Sequence, residues 1–331
     1  MKKNILLCVF FLFLSLFCFS QEKLIINDFS PKYHAEITFV GGEQEEQHKI
    51  DIKETLSGKI VASTRSMLSD FALEDLQSNV AVLPYGDHSI IIFDDFNFDG
   101  KDDIALRTGN FGCYGGPSYD VFIFDGKIFR ENLKFTDLAS SYCGFFDYDP
   151  ETRQIRTMAK SGCCWHEYST FGVQNGDPVL KKRLTREVGA GPYFNVTEET
   201  WANGRKTVEK SKYLVADLTD NDKIFSFRTV SGKLMQLINH NELLSYFFTD
   251  KEEKIELLFN GTFMYDRTHN SINFYNKDAY YSIFSDRIEV KHKGKKAVIK
   301  AENGSQKGSI EAIYTRYKDQ NLSNLEIDES Q

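Results

Sequence analysis

The chain has no excess of positive charge, and this excludes one large class of function. Its 48 Asp and Glu residues outnumber its 40 Lys and Arg residues, which gives a formal net charge of −8 at pH 7. Proteins that bind nucleic acid need a basic face to neutralise phosphates. We therefore predict no nucleic-acid partner.

The common motifs of enzymes are also missing. The seven histidines form neither an H-x-x-x-H nor an H-E-x-x-H zinc arrangement, and no G-x-S-x-G elbow or P-loop is present. Asp147 and Asp149 are a carboxylate pair of the kind that glycosidases use, and residues 163–166 place two cysteines close to a histidine, in the order Cys-Cys-Trp-His. We interpret the first as solvated turn residues and the second as oxidised cysteines, and we predict that the protein is not an enzyme.

Long hydrophobic runs are scarce, and the longest lies at the N-terminus. A short basic start precedes an apolar run over residues 5–19, which is too short as a helix to cross a hydrocarbon core of about 30 Å. Cys18 and Ser20 suit signal-peptidase cleavage before Gln21. We predict that the first 20 residues are a signal peptide, that the protein is periplasmic or secreted, and that it leaves the membrane after cleavage. A retained anchor is the alternative. Lipidation of Cys18 is rejected because Phe17 precedes it.

Cysteine is sparse, and two of the six cysteines leave with the predicted signal peptide. The others are Cys113, Cys143, Cys163 and Cys164. An even number of cysteines in an oxidising compartment favours disulfides. Because Cys163 and Cys164 are adjacent, we expect each to pair with Cys113 or Cys143, in either connectivity. No C-x-x-C motif or nearby histidine pair supports the alternative of a metal site.

Aromatic residues are abundant, in short alternating runs separated by turn residues. Such runs predict strands, here at residues 35–40, 89–93, 119–124, 286–292 and 297–300, with a hairpin turn over 293–296. Residues 233–247 have apolar residues at helical spacing, and we predict one helix there. Because no alternation of strands with helices is visible, we expect no parallel sheet and predict a β-rich protein.

We predict two domains after the signal peptide. A polar stretch over 197–212 follows the segment that contains all four cysteines, so the first domain covers 21–196 and a small β-rich domain covers 197–331. One large all-β domain is the alternative. The polar tail from Asp319 onward is expected to fray.

The acidic loop over 95–103 has the ligand spacing of an EF-hand-type calcium loop. With Asp95 as position 1, oxygen donors fall at positions 3, 5, 7 and 9 and glycine at position 6, namely Asn97, Asp99, the carbonyl of Lys101, Asp103 and Gly100. Carboxylates this close repel one another unless a cation neutralises them. We predict Ca²⁺ as the cofactor, in preference to magnesium, and a role in stabilising the fold. The alternative is an acidic turn whose side chains cap their own backbone.

The end of this loop departs from a true EF-hand. Position 12 is Leu106 in place of the bidentate glutamate. Residues 104–106 indicate a strand, so we expect the loop motif to lie on a β scaffold, with its last ligand supplied by water or Asp94.

The residues after the loop extend this pattern into a family resemblance. A glycine-rich segment over 109–119 leads into an apolar strand at 122–124. From Asp95 to Phe124 the chain resembles FG-GAP/VCBS-type repeats. It resembles more specifically the calcium-binding periplasmic immunity proteins that neutralise peptidoglycan-hydrolysing effectors, which are similar to the periplasmic inhibitors of i-type lysozymes. The resemblance implies an all-β fold, either propeller-like or a sandwich, and an inhibitor role, with Ser118 and Tyr119 entering the hydrolase cleft. It includes neither the cysteines nor residues 197–331.

The segment 109–119 itself has an unusual composition. It contains four glycines together with Phe111, Tyr114 and Tyr119. A flexible linker does not need the aromatics, and a core strand does not tolerate the glycines. We predict a shaped loop that binds a protein partner through Tyr114 and Tyr119. The resemblance adds Ser118 to the contact and implies that the partner is a cell-wall hydrolase or effector. The alternative is that the tyrosines pack under their own loop.

These predictions favour an exported, calcium-binding, non-enzymatic protein that inhibits a peptidoglycan hydrolase. The second interpretation is a surface or secreted adhesion or scaffold module with a purely structural calcium site, which predicts a flat aromatic surface. A third is a glycan hydrolase, which requires two carboxylates facing each other across a cleft. A basic hairpin over 291–300 also stands out, and we interpret its lysines as protection of a sheet edge. Contact with an acidic partner is the alternative.

Overall fold

In a computed structural model the described residues are 23–41, 47–68, 89–215, 218, 222–320 and 322–328, and the predicted signal peptide lies outside them. Of the described residues, 59% are in strands and 7% in helices, which confirms the all-β prediction. It divides into two compact units. The first is Met1–Arg153 with Val173–Pro178, and the second is Gln154–Gly172 with Val179–Gln331.

The first unit contains two antiparallel meanders of four strands. One is formed by β1 (Lys23–Ile26), β2 (Tyr33–Phe39), β3 (His48–Glu54) and β4 (Ile60–Ser66). The other is formed by β5 (Ile91–Asp94), β6 (Asp103–Gly109), β7 (Ser118–Phe124) and β8 (Phe129–Glu131). Helix α1 (Leu133–Ser140) and the short strand β9 (Asp147–Asp149) follow.

Both meanders of the first unit contribute to one hydrophobic core. Side chains alternate between the two faces of a strand, and the inward faces share the buried residues Ile37, Ile50, Ile52, Ile91, Ile104, Leu106 and Phe122. Burying one such side chain fully contributes roughly 1.5–3 kcal/mol. The strands on either side of the acidic loop are therefore held by the main core of this unit.

Helix α1 is absent from the sequence-based predictions. Asn132 caps it, because its side-chain oxygen accepts the backbone N–H groups of Lys134 at 3.0 Å and Phe135 at 3.2 Å, the usual N-cap arrangement. The helix buries Phe135 and Leu138. Its eight residues give too few repeats for a periodic pattern to be recognised.

The second unit begins with long strands that follow one another in a sheet. They are β10 (Gln154–Ser161), β11 (Trp165–Gln174), β12 (Asp177–Val188), β13 (Tyr193–Ala202) and β14 (Arg205–Leu214); the last residues of β11 and the first of β12 are assigned to the first unit. Position 196, the boundary predicted from the sequence, lies inside β13.

Two further sheets complete the second unit. One has the order β18-β17-β16-β15-β24 and consists of β15 (Lys223–Arg228), β16 (Leu234–His240), β17 (Leu243–Thr249), β18 (Ile255–Phe259) and β24 (Lys307–Gly308). The other has the order β23-β22-β21-β20-β19-β25 and consists of β19 (Phe263–Asp266), β20 (Ser271–Asn276), β21 (Ala279–Ile283), β22 (Arg287–His292), β23 (Lys295–Lys300) and β25 (Leu325–Asp328).

These two sheets and helix α2 (Glu311–Gln320) enclose the core of the second unit. Its buried members include Phe227, Leu237, Tyr246, Phe263, Phe274, Ile288 and Ile313. Among the described residues, no helix is both long enough and apolar enough to span a membrane.

The helix predicted over 233–247 is wrong. The segment forms the antiparallel strands β16 and β17. They meet at a two-residue turn, Asn241 and Glu242, with φ angles of 52° and 62°, as a type I′ hairpin turn requires. Both faces of β16 are buried, so its apolar residues Leu234, Met235, Leu237 and Ile238 do not alternate with polar ones and mimic a helical stripe. Periodicity alone does not separate these two cases.

The five predicted strands are confirmed as β2, β5, β7, β22 and β23, and the turn between the last two lies at Lys293 and Gly294. The predicted fraying of the tail is wrong for residues 322–328. Strand β25 pairs in parallel with β19, and Leu322 and Leu325 are buried. The sequence predicts fraying because polar residues flank the two leucines and hide their burial.

Candidate functional site

The acidic loop joins β5 to β6, and Asp94 and Asp103 are paired where the two strands meet it. Within the loop the side-chain oxygens accept backbone N–H groups. Asp95 accepts those of Asp99 at 3.0 Å and Gly100 at 2.7 Å, and Asn97 accepts that of Asp99 at 2.9 Å. Gly100 has a φ of 87°, which suits glycine at the sharp turn. The loop is thus wound around its own polar side chains.

Asp103 ties the loop to the neighbouring strand. It is fully buried, and its two carboxylate oxygens accept the backbone N–H groups of Phe96 at 3.0 Å and Phe124 at 2.8 Å. Burial raises the pKa of this carboxyl to about 7, although these backbone hydrogen bonds act in the opposite direction. The N–H of Asn97 also donates to this carboxylate. A carboxylate has about four lone-pair sites, so these hydrogen bonds do not exhaust its capacity to bind a cation.

The chemistry of the predicted ligands fits a hard cation, because all of them offer oxygen. Asp99 also accepts the backbone N–H of Lys101 at 3.0 Å and lies 3.1 Å from its ammonium. Within the part of the chain that the structure describes, no three His, Cys, Asp or Glu side chains are gathered as a metal centre. Calcium at this loop therefore stays a prediction.

Residues from much later in the chain brace the same loop. The hydroxyl of Tyr148 donates to Asp94 at 2.6 Å, and the guanidinium of Arg153 donates to the carbonyl of Phe98 at 2.6 Å. Phe96 is fully buried and lies edge-on to Tyr148, with ring centroids 5.4 Å apart. Sequence analysis missed these braces because nothing near Tyr148 or Arg153 indicates a contact 54 or 55 residues away.

The glycine-rich segment after β6 has a fixed backbone. A short 3-10 turn covers Cys113–Gly115, and the N–H of Gly112 donates to the carbonyl of Gly116 at 2.9 Å. The N–H of Cys113 donates to the carbonyl of Tyr142 at 3.2 Å. A disulfide joins Cys113 to the next residue, Cys143. We name residues 110–117 the aromatic loop.

The three predicted partner-binding residues occupy different environments. Tyr114 is 67% exposed on the aromatic loop, and Phe111 beside it is 64% exposed. Ser118 and Tyr119 are buried in β7, which corrects the expectation that they enter a partner's cleft. The hydroxyl of Tyr119 donates to the carbonyl of Ser89 at 2.8 Å, and burial raises its pKa. These two residues belong to the core because the strand begins at Ser118, before the apolar run.

The predicted disulfide connectivity is wrong. The bonds join Cys113 to Cys143 and Cys163 to Cys164. Helix α1 returns the chain so that the Cα atoms of Cys113 and Cys143 lie 4.6 Å apart. The adjacent cysteines lie in the exposed turn between β10 and β11, where they bond to each other.

Asp147 and Asp149 are the first and last residues of strand β9, and Asp149 precedes a turn. Its carboxylate accepts the backbone N–H groups of Glu151 at 3.0 Å and Thr152 at 3.2 Å and the Thr152 hydroxyl at 2.7 Å. The interpretation of Asp147 and Asp149 as turn residues is thus corrected, because both belong to a strand, although the Asp149 carboxylate does cap the turn.

No family model matches the chain, and no curated protein matches it. A Xanthomonas type IV secretion system related protein is similar over 57% of this chain and 94% of that chain, with 19% identity and a TM-score of 0.46. A putative 6-phosphogluconolactonase from Bacteroides uniformis ATCC 8492 is similar over 86% of this chain and 84% of that chain, with 9% identity and a TM-score of 0.21. Apo prolyl oligopeptidase B from Galerina marginata also has a TM-score of 0.21, at 11% identity, over 86% of this chain and 42% of that chain. These TM-scores are too low to carry an argument about fold or function.

Proposed function

We propose that the chain is an exported, non-enzymatic binding protein whose aromatic loop contacts a protein partner, a peptidoglycan hydrolase, and whose acidic loop binds calcium. The observation that carries the proposal is the exposure of Phe111 and Tyr114, at 64% and 67%, on a loop whose backbone is fixed. Large aromatic side chains are the usual anchors of protein interfaces.

The fixed backbone supports a binding role for the aromatic loop. Tyr114 has a φ of 55°, a left-handed conformation that is unfavourable for a bulky residue. Such strain persists only where the surroundings hold it, and it is often found at functional sites. The Cys113–Cys143 disulfide and the Gly112–Gly116 hydrogen bond hold it here. A loop ordered before binding loses less entropy in the complex.

Calcium would bind the acidic loop, at the opposite end of strand β6 from the aromatic loop. Asp95, Asn97, Asp99 and Asp103, together with the carbonyl of Lys101, would hold the ion, which would neutralise a loop rich in carboxylates. Strand β6 runs from Asp103 to Gly109, so it connects the acidic loop directly to the aromatic loop. Two disulfides suit an oxidising compartment, which supports a periplasmic or secreted location.

The test is inhibition of a muramidase panel on peptidoglycan by the chain from Gln21 onward. We expect inhibition by the unaltered protein and loss of at least tenfold in potency for Phe111→Ala and Tyr114→Ala, which corresponds to about 1.4 kcal/mol each. Tyr168→Ala is the matched control, because Tyr168 is an exposed tyrosine of the second unit. Melting temperatures should stay unchanged in all three variants.

The second candidate is an adhesion or scaffold module with a structural calcium site. The burial of Ser118 and Tyr119 favours it, because two of the three predicted contact residues serve the core. Failure to inhibit any muramidase, together with a melting temperature that still responds to calcium, would select this candidate.

A further inference from the structure

A row of four cross-strand neighbours crosses one face of the last sheet of the second unit. Lys296 on β23 is paired with Lys291 on β22, Lys291 with Tyr280 on β21, and Tyr280 with Tyr275 on β20. Directly paired residues point to the same face of a sheet. Neighbouring strands lie about 4.8 Å apart, so the row extends roughly 14 Å. We name these four residues the tyrosine–lysine row.

The row lies on the face opposite the core. Phe274, Ile283 and Ile288, which point the other way from these strands, are fully buried in the core cluster. Tyr275 is 63% exposed. Its ring lies 4.7 Å from that of Tyr280, so the two rings form a continuous aromatic surface. Aromatic residues at these positions contribute little to the core of the unit.

The two lysines are unfavourably placed for stability alone. Like charges directly opposite each other on adjacent strands repel. The ammonium of Lys296 forms an ion pair with the carboxylate of Glu289 at 2.8 Å. Lys291 has no ion-pair partner among the described residues. Residues 277–300 contain seven Lys and Arg and only three Asp and Glu, within a chain of net charge −8. An anion supplied by a partner would relieve this repulsion.

Edge protection explains only part of the row. β23 is the edge strand of its sheet, and lysines there discourage pairing with other chains. Lys291 lies one strand further in, and the tyrosines lie on the third and fourth strands from that edge. These three side chains need another explanation.

The end of the sheet that carries the row is held in place. Asp278 lies in the turn between β20 and β21, and His292 is the last residue of β22 at the same end. Their side chains lie 2.8 Å apart. This contact clips the β22–β23 hairpin to the β20–β21 hairpin. A ligand therefore meets a rigid surface.

We infer that the tyrosine–lysine row binds an anionic polysaccharide. The face of an aromatic ring is electronegative, so it attracts the weakly positive C–H groups on the flat side of a sugar ring. Tyr275 and Tyr280 stack against consecutive sugars, and Lys291 and Lys296 pair with carboxylates spaced along the chain. A polymer with sparse charge fits better than a nucleic acid, because an acidic protein repels a polyanion with one charge per nucleotide.

Calorimetric titration of the chain from Gln21 onward tests this inference. The probes are hyaluronan oligosaccharides, which carry a carboxylate on every second sugar, neutral dextran, and a single-stranded oligothymidylate. We expect binding to hyaluronan only, weakened at least fivefold when the salt concentration rises from about 0.05 M to about 0.5 M, since salt screens exposed charges.

Substitutions separate the two contributions. Tyr275→Ala is expected to weaken hyaluronan binding about tenfold, in line with the loss of one stacked ring, whereas Tyr275→Phe keeps the ring and the affinity. Lys291→Gln is expected to weaken binding and flatten the salt dependence. Tyr168→Ala and Lys210→Gln, which change exposed residues of the same unit, are the matched controls. The changed side chains are exposed, so the melting temperature should not move.

Several results would overturn the inference. If dextran bound as tightly as hyaluronan, the lysines would have no role in binding. If oligothymidylate bound more tightly than hyaluronan, the row would be a nucleic-acid surface instead. Full affinity of Tyr275→Ala, or no hyaluronan binding at low salt, would exclude the row as a glycan site. The row lies in the second unit and uses neither the acidic loop nor the aromatic loop, so these outcomes leave the hydrolase proposal untouched.

Discussion

The polar side chains of the acidic loop have different structural roles. Asp95 and Asn97 organise the loop by accepting its N–H groups, while Asp103 fastens it to β7. The spacing of these residues could be read from the sequence, because a calcium-type loop is a local pattern. The burial of Asp103 could not, because it depends on Phe124, 21 residues further along the chain.

Calcium is expected to raise the melting temperature, and EDTA to lower it. A ligand that binds only the native state stabilises it by about 2.7 kcal/mol at 100 times its dissociation constant. Asp99→Ala should abolish the response, whereas Glu131→Ala, which removes an exposed carboxylate of the same unit, should keep it. Magnesium should substitute poorly. Melting curves that do not depend on calcium would contradict the site.

The ion pairs of Glu36 predict a pH dependence. Its carboxylate lies 2.7 Å from the Lys53 ammonium and 3.2 Å from that of Lys23, and these contacts lower its pKa. A lowered folded-state pKa gives stability that is present above the unfolded value, about 4.3, and is lost as the pH falls through the folded value.

Glu36→Gln should therefore lower the melting temperature at pH 7 and make no difference near pH 2. Thermal scans from pH 2 to pH 7 measure the gap between the two proteins, with Glu131→Gln as the matched control. A gap that widened toward acid would show that the ion pairs do not act in this way.

At the scale of elements, a strand could be predicted from the sequence when only one of its faces is buried. Strands with one buried face, such as β2, alternate and were predicted. Strands β16 and β17 are buried on both faces, so they lose the alternation and were read as a helix. The disulfide between the adjacent residues Cys163 and Cys164 contradicts the expectation that adjacent cysteines pair with distant partners. Its position in the turn between β10 and β11 follows from strand pairing.

The two disulfides should differ in accessibility and in their effect on stability. Cys113 and Cys143 are 30 residues apart, and closing a loop of that size removes entropy worth about 3–4 kcal/mol from the unfolded chain. Cys163 and Cys164 enclose no intervening residues, so their bond constrains the unfolded chain little.

Mild reduction should therefore open the exposed Cys163–Cys164 bond first and leave the melting temperature nearly unchanged. Alkylation and peptide mass spectrometry identify the free thiols. The double variant Cys113→Ser/Cys143→Ser should melt lower, and Cys163→Ser/Cys164→Ser should not. Earlier reduction of Cys113–Cys143 would contradict this order.

At the scale of the molecule, each unit is completed by residues far apart in the sequence. In the second unit, Asn324 bonds to both backbone groups of Leu244 at 2.9 Å and to the carbonyl of Gly261 at 2.8 Å. One side-chain amide thus connects β17, the chain before β19 and the chain before β25. Local patterns do not reveal such a residue, because asparagine near a chain end usually indicates an exposed loop.

Asn324→Ala is expected to destabilise the second unit by about 1–3 kcal/mol, because it leaves backbone groups without partners. Asn324→Asp keeps the acceptor for the N–H of Leu244 and loses the donors, so its stability should be intermediate. Urea denaturation followed by tyrosine fluorescence measures the difference. Equal stability of all three proteins would show that water replaces these bonds without cost.

The braces from Tyr148 and Arg153 make the acidic loop a poor candidate for transplantation. Residues 94–106 grafted into a foreign hairpin would bring every predicted ligand but neither the Tyr148 hydroxyl nor the Arg153 guanidinium, which come from 54 and 55 residues further along. The grafted loop would be disordered without the ion, so each binding event would cost the conformational entropy of ordering it. Its affinity for calcium would therefore be lower than that of the parent protein. The ratio of the affinities of parent and graft would then measure how much of the binding belongs to the scaffold and how much to the motif.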